Sequence, residues 1–126
     1  MDQIKNIIDD IGIAAFESNI QIAGLAVISD LGKLIYQTDN FDVSKHTNSI
    51  LNVFKGDQSF TFNNTEFSIV NRSNNGIVGT NKMGMGHVLF IPFQGGVLVS
   101  YAMPKADPIQ AVSFLKNYSI KLNGLI

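Results

Sequence analysis

The chain has no cysteine. A disulfide framework, a cysteine nucleophile and a thiolate metal site are therefore all excluded, and a reducing, cytoplasmic setting is expected. Long hydrophobic runs are also missing. None approaches the roughly 18–20 apolar residues of a membrane span. The opening stretch MDQIKNIIDD carries acids where a signal peptide would carry bases, so no targeting segment is expected. Histidine is scarce. His46 and His87 stand alone, neither with a second histidine at ligand spacing, so no metal site is expected. No G-x-S-x-G elbow surrounds any serine. The adjacent Asp9 and Asp10 point about 100° apart on a helix and read as a solvated face rather than a catalytic pair. These absences predict a protein that is not an enzyme and uses no cofactor.

What is present fits one globular domain spanning residues 1–126. The composition is 45% apolar and 15% charged. The net charge is near zero but lopsided. Residues 1–66 hold nine acids against four bases, and residues 67–126 hold five bases (Arg72, Lys82, Lys105, Lys116, Lys121) against Asp107 alone. A basic second half predicts an acidic protein partner. Five bases spread over sixty residues are too dispersed for a nucleic-acid footprint.

The periodicity predicts a helix over 2–18, with Ile4, Ile7, Ile8 and Ile11 at three- and four-residue spacing and Asp2 as its N-cap. Strands are predicted at 22–29 and 34–38, joined by the turn at Asp30–Lys33. A short helix is predicted over 43–54, with Val43 as a hydrophobic cap, Ser44 as N-cap and Lys55-Gly56 as its stop. Further strands are predicted at 60–62, 66–72, 77–80, 87–93 and 96–102. Asn63-Asn64 is a two-residue turn, and Phe67, Ile69 and Asn71 are expected on one face. A last helix is predicted from Asp107 to Leu122, capped by Asp107, with Pro108 at its first position and Gln110 at its third. Ala111, Leu115, Tyr118 and Leu122 form its apolar stripe. This order of elements predicts an α+β fold with an antiparallel sheet.

The stretch VGTNKMGMGHV, residues 78–88, concentrates glycine, methionine and one lysine. It fails as a phosphate loop, because Lys82 precedes Gly84 and a strand follows where a helix N-terminus would be needed. It reads instead as a hairpin tip or a contact loop.

Taken in order, several stretches resemble the profilin family. Residues 60–70, FTFNNTEFSIV, are similar to the profilin strand pair around GGxKY/F. Residues 77–86, IVGTNKMGMG, resemble the stretch that reads roughly IRGKKGxGG, and GVLVSY at 96–101 follows at the expected distance. LKNYSI at 115–120 is similar to LGDYLI of the last helix. Upstream, Ile7-Ile8-Asp9-Asp10 resembles the opening helix, GKLIYQT at 32–38 the GSVWAQS strand, and ILNVF at 50–54 the helix between them. The resemblance is to a divergent, tryptophan-less profilin of the archaeal type.

It implies a profilin-like α+β fold. The central antiparallel sheet would have about six to seven strands, with the N- and C-terminal helices on one face and a short helix on the other. It implies a monomer that binds actin monomers and regulates filament assembly. The actin-binding positions it implies are Arg72, Lys82, Met103, Lys105, Pro108, Ile109, Val112, Ser113 and Lys116. The polyproline-groove positions are Ile4, Ile7, Ile35, Tyr36 and Tyr118. Isoleucines at 4 and 35 replace the family's tryptophans, and an aliphatic side chain offers no flat face or indole N–H to a polyproline helix. Binding of proline-rich ligands is therefore expected to be weak or altered. Phosphoinositides would use the same scattered bases. A second reading shares the order of elements: a roadblock or longin-like dimeric module that docks small GTPases.

Overall fold

A computed structural model describes residues 2–126; the capping role read for Asp2 falls on a side chain outside the described residues. Three helices, α1 (Asp2–Glu17), α2 (Thr47–Val53) and α3 (Pro108–Ser119), accompany seven strands. The strands are β1 (Ile22–Ser29), β2 (Leu34–Gln37), β3 (Ser59–Phe62), β4 (Thr65–Arg72), β5 (Ile77–Thr80), β6 (His87–Phe93) and β7 (Gly96–Ala102). A 3-10 turn at Ile120–Leu122 continues α3. All neighbouring strands are antiparallel, in the order β2-β1-β7-β6-β5-β4-β3. This is the expected fold, with each strand within a residue or so of its predicted span.

Alternation along the strands divides the core into two layers. Leu25, Val27, Val78, Leu89, Ile91 and Leu98 point to one face, where Ile4, Ile8 and Ile11 of α1 and Ala111, Val112 and Leu115 of α3 pack on them. Ala26, Ile28, Phe67, Ile77, Val88, Phe90 and Val99 point to the other, which Phe41, Val43 and the Ile50 and Val53 side chains of α2 cover. Rings fill much of this second layer. Phe60 meets Phe90 edge-on at 5.3 Å between centroids, and His46 lies 5.0 Å from Phe62.

Turn chemistry accounts for several junctions. Asn63 and Asn64 both adopt positive φ (49° and 66°), the conformation that a tight two-residue hairpin needs. Asp107 caps α3 as expected, accepting hydrogen bonds from the N–H groups of Ile109 (3.0 Å) and Gln110 (3.2 Å).

Two expectations are corrected. The short helix begins at Thr47 rather than 43, with His46 at its N-cap and no side-chain cap. Ser44 does not cap it. The Asp42 carboxylate accepts from the Ser44 hydroxyl (2.6 Å) and the Ser44 N–H (2.9 Å), and that local ring holds the chain out of helical geometry. Val43 is buried in the core instead of preceding a helix. The second correction is in β4. A bulge between Ile69 and Asn71 breaks the alternation, so Phe67 and Ile69 face the α2 layer while Asn71 pairs opposite Val78 and shares its face, the one bearing α1 and α3.

Candidate functional site

Helices cover the α1/α3 face unevenly. α1 packs over β1 and α3 over β6, with flanking contacts to β5 and β7. Beyond β5 the sheet is bare among the described residues. Ser68 pairs with Thr80 and Thr61 with Glu66 on this side, and all four are exposed or half-buried. Val70, at the bulge, is also exposed. At the border of the bare region Thr80 Oγ1 and His87 Nδ1 are 2.9 Å apart, and the other ring nitrogen of His87 is buried without a partner.

α3 forms one wall of this surface. Val112 is only 4% exposed and packs beside Gly76 at the start of β5. That contact turns the helix edge at Ile109, Ser113 and Lys116, positions one turn apart, toward β5. Ile109 is 50% exposed, and Lys116 Nζ donates to the Pro92 carbonyl at 3.3 Å. The opposite edge carries Phe114 and Tyr118, whose rings are 5.2 Å apart with Lys121 over the Tyr118 ring.

The loop between β5 and β6 borders this surface at its Thr80–His87 end, and Asn81 organises it. Asn81 Nδ2 donates to the Glu66 carbonyl of β4 at 2.8 Å, while Asn81 Oδ1 accepts from the N–H groups of Met83 (2.9 Å) and Met85 (3.1 Å). Tyr101 Oη donates to the Met85 carbonyl at 2.6 Å. Gly84 and Gly86 take positive φ (81° and 98°), which this tight path requires. The result is a braced loop that holds Lys82 and the 85%-exposed Met83 in solvent.

The nine positions expected at a protein contact thus separate. Lys82 lies in the β5–β6 loop, Ile109, Ser113 and Lys116 lie on the outer edge of α3, and Pro108 opens that helix half-buried. Val112 is beneath them as core. Met103 and Lys105 lie in the loop before α3 and line a groove with the end of α1. Arg72 is on the other face, since it pairs with Ile77. Its guanidinium donates to the carbonyls of Val53 (2.7 Å) and Asp57, tying β4 to the end of α2. Of the groove positions, Ile4 is 3% exposed and belongs to the core, and Ile7, Ile35, Tyr36 and Tyr118 are half-buried against it. Sequence reasoning passed over Asn81 and Val70. An Asn that opens a glycine-rich turn is a recognisable signal for the first. The exposure of Val70 follows from the bulge and had no signal.

No group of three or more His, Asp or Glu able to hold a metal occurs among the described residues. No helix among them is long and apolar enough to cross a membrane.

No protein-family model matches the chain. Loki profilin-1 of Lokiarchaeum sp. (strain GC14_75) is 34% identical to it, over 99% of this chain and 98% of its own length. The chain belongs to the profilin family. Loki profilin-2 of the same organism is 33% identical to this profilin over the same shares. Among solved structures, the Loki profilin 2 chain of a complex with rabbit actin superposes with a TM-score of 0.89 at 28% identity, covering 100% of this profilin and 99% of that chain. Profilin IB of Acanthamoeba castellanii superposes at 0.69 with 15% identity over 86% of this profilin and 94% of its own chain, a likeness of fold alone. The roadblock or longin reading is set aside by this membership.

Proposed function

We propose that this profilin binds actin monomers and thereby regulates filament assembly, in the cytoplasm and without catalysis. The observation that carries the reading is the end-to-end superposition on Loki profilin chains solved in complexes with rabbit actin, at TM-scores of 0.89 and 0.87. The bare sheet beside α3 supplies a surface for it. Ile109 would supply the apolar contact, beside the polar Ser68 and Thr80 of the sheet, and Lys82 and Lys116 a basic rim facing an acidic partner. Arg72 acts here as a brace behind the surface rather than as a contact.

Proline-rich ligands bind weakly in this reading, because Ile4 is buried and the other groove positions are half-covered by the core. Phosphoinositides would compete for the same lysines. A pyrene-actin polymerisation assay tests the proposal. The protein should slow assembly in proportion to its concentration. No effect on any actin, including one from the same source, would overturn it.

A further inference from the structure

A second surface lies at the far end of α1. β2 pairs with β1 only from Ala26 onward, and Thr38 engages both backbone groups of Leu25: its N–H donates to the Leu25 carbonyl (2.9 Å) and its Oγ1 accepts from the Leu25 N–H (3.1 Å). Residues 22–24 of β1 therefore have β7 on one side, in a register broken by a bulge between Ile22 and Gly24, and no strand on the other. Ala23 lines cavities on both faces of the sheet, as a residue at an open edge should. An open strand edge is a template for another strand.

Over this edge runs an open groove of about 1090 Å³, walled by the last turn of α1 and the Met103–Lys105 loop. Its lining is mostly apolar. Phe16, on its wall, is 88% exposed, an uncommon position for a helical phenylalanine. Lys105 is the single charged residue of the lining. The groove is open, unlike the enclosed cavity that holds a small metabolite.

We propose that this groove receives an extended, apolar segment of an acidic partner protein, added as an eighth strand along residues 22–24 of β1. The Ala23 backbone groups hydrogen-bond the incoming strand, since the Ile22 N–H already donates to the Ile20 carbonyl; Phe16 and Met103 cover its apolar side chains, and Lys105 pairs with an acidic residue. This is strand addition, a mode in which main-chain bonds supply affinity and flanking side chains supply selectivity. A proline-rich segment does not suit it, because each proline lacks the N–H that a ladder needs.

The test uses the full chain, isotope-labelled, and three blocked octapeptides. The first alternates threonine and valine and ends in two glutamates. The second has proline in place of each valine. The third ends in two lysines. The first should shift the amide resonances of residues 22–25 and Met103, and the other two should bind about ten-fold more weakly or not at all. Phe16→Ala should weaken binding about five-fold, the scale of a modest interface truncation. Lys105→Glu should reverse the preference between glutamate and lysine ends.

Equal binding of the proline peptide, shifts confined to β4 and α3, or indifference to Phe16→Ala would overturn the proposal. So would self-association of the chain through the same residues, which would make a second copy the occupant. Phe16→Ala should leave the effect on actin assembly unchanged. Loss of that effect would merge the groove with the actin surface and overturn its separateness. An absence of any actin effect in the unmodified chain would leave the peptide result standing by itself.

Discussion

The two halves of the α1/α3 face are built from one sheet and behave oppositely. Over β1, β7 and β6 the side chains of Leu25, Val27, Leu89, Ile91 and Leu98 are buried under the helices, and at Gly96 a close backbone approach leaves no room for a β-carbon. Over β3 and β4 the same face shows polar side chains to solvent. Stability is concentrated in the first half, and the proposed contact surface lies in the second. A sheet can divide the two tasks by strand because each strand sees only the layer above and below it.

Substitutions can break that division, and the largest effect should come from the covered half. A β-carbon on Gly96 would collide with the Ile28 backbone carbonyl, which cannot move without breaking the β1–β7 ladder. Gly96→Ala should cost about 3 kcal/mol of stability, read from the urea unfolding midpoint. Arg72→Ala should come next, at about 1.5 kcal/mol, since it removes two charged donors from backbone carbonyls. A defect in actin association at unchanged stability would instead make Arg72 a contact.

Asp107→Ala should cost about 1 kcal/mol by uncapping α3. Asp42 adds a pH-dependent increment. The hydrogen bond from the Ser44 hydroxyl, first, and that from its N–H hold the Asp42 carboxyl below the usual carboxylate range. This contribution is present above the unfolded carboxylate value and is lost as pH falls through the lowered folded one. Asp42→Asn should therefore flatten part of the loss of stability below about pH 4, and an unchanged acid limb would deny Asp42 that role. The smallest effect on stability should come from the bare half. Lys82→Glu should leave the unfolding midpoint within about 0.5 kcal/mol of the parent, yet slow association with actin and make it less salt-sensitive in stopped-flow measurements.

The strands were legible because their signals are local. Alternation and glycine or asparagine punctuation place all seven. Asn63-Asn64 and Asp107-Pro108 state their geometry within two residues. Two kinds of information were not local. The Asp42–Ser44 ring displaced a helix start that looked ordinary by composition, because a serine next to an aspartate can satisfy it instead of a helix. The bulge at Val70 reversed the face of Asn71, and nothing in SIVNR announces an extra residue.

The expected contact residues fared by the same rule. Periodicity kept Ile109, Ser113 and Lys116 together on one helix edge. Arg72, at a strand end after a bulge, went to the opposite face, and only pairing with Ile77 reveals it. Phe16 was invisible as a surface feature, since α1 has enough isoleucines to fill the core without it.

The pairing of β1 with β7 has a consequence for how the chain is made. Synthesis delivers β1 well before its neighbour on the inner side, β7, whose last residue is Ala102. During most of elongation the strand IAGLAVIS has only β2 beside it, with its inner edge and its apolar side chains unmatched. The meander from β3 to β7 consists of hairpins and can assemble as it emerges, whereas the sheet becomes continuous only when a contact spanning some seventy residues closes. The β1–β7 seam is thus the last pairing of the sheet that can form, and only α3 is left to close over it.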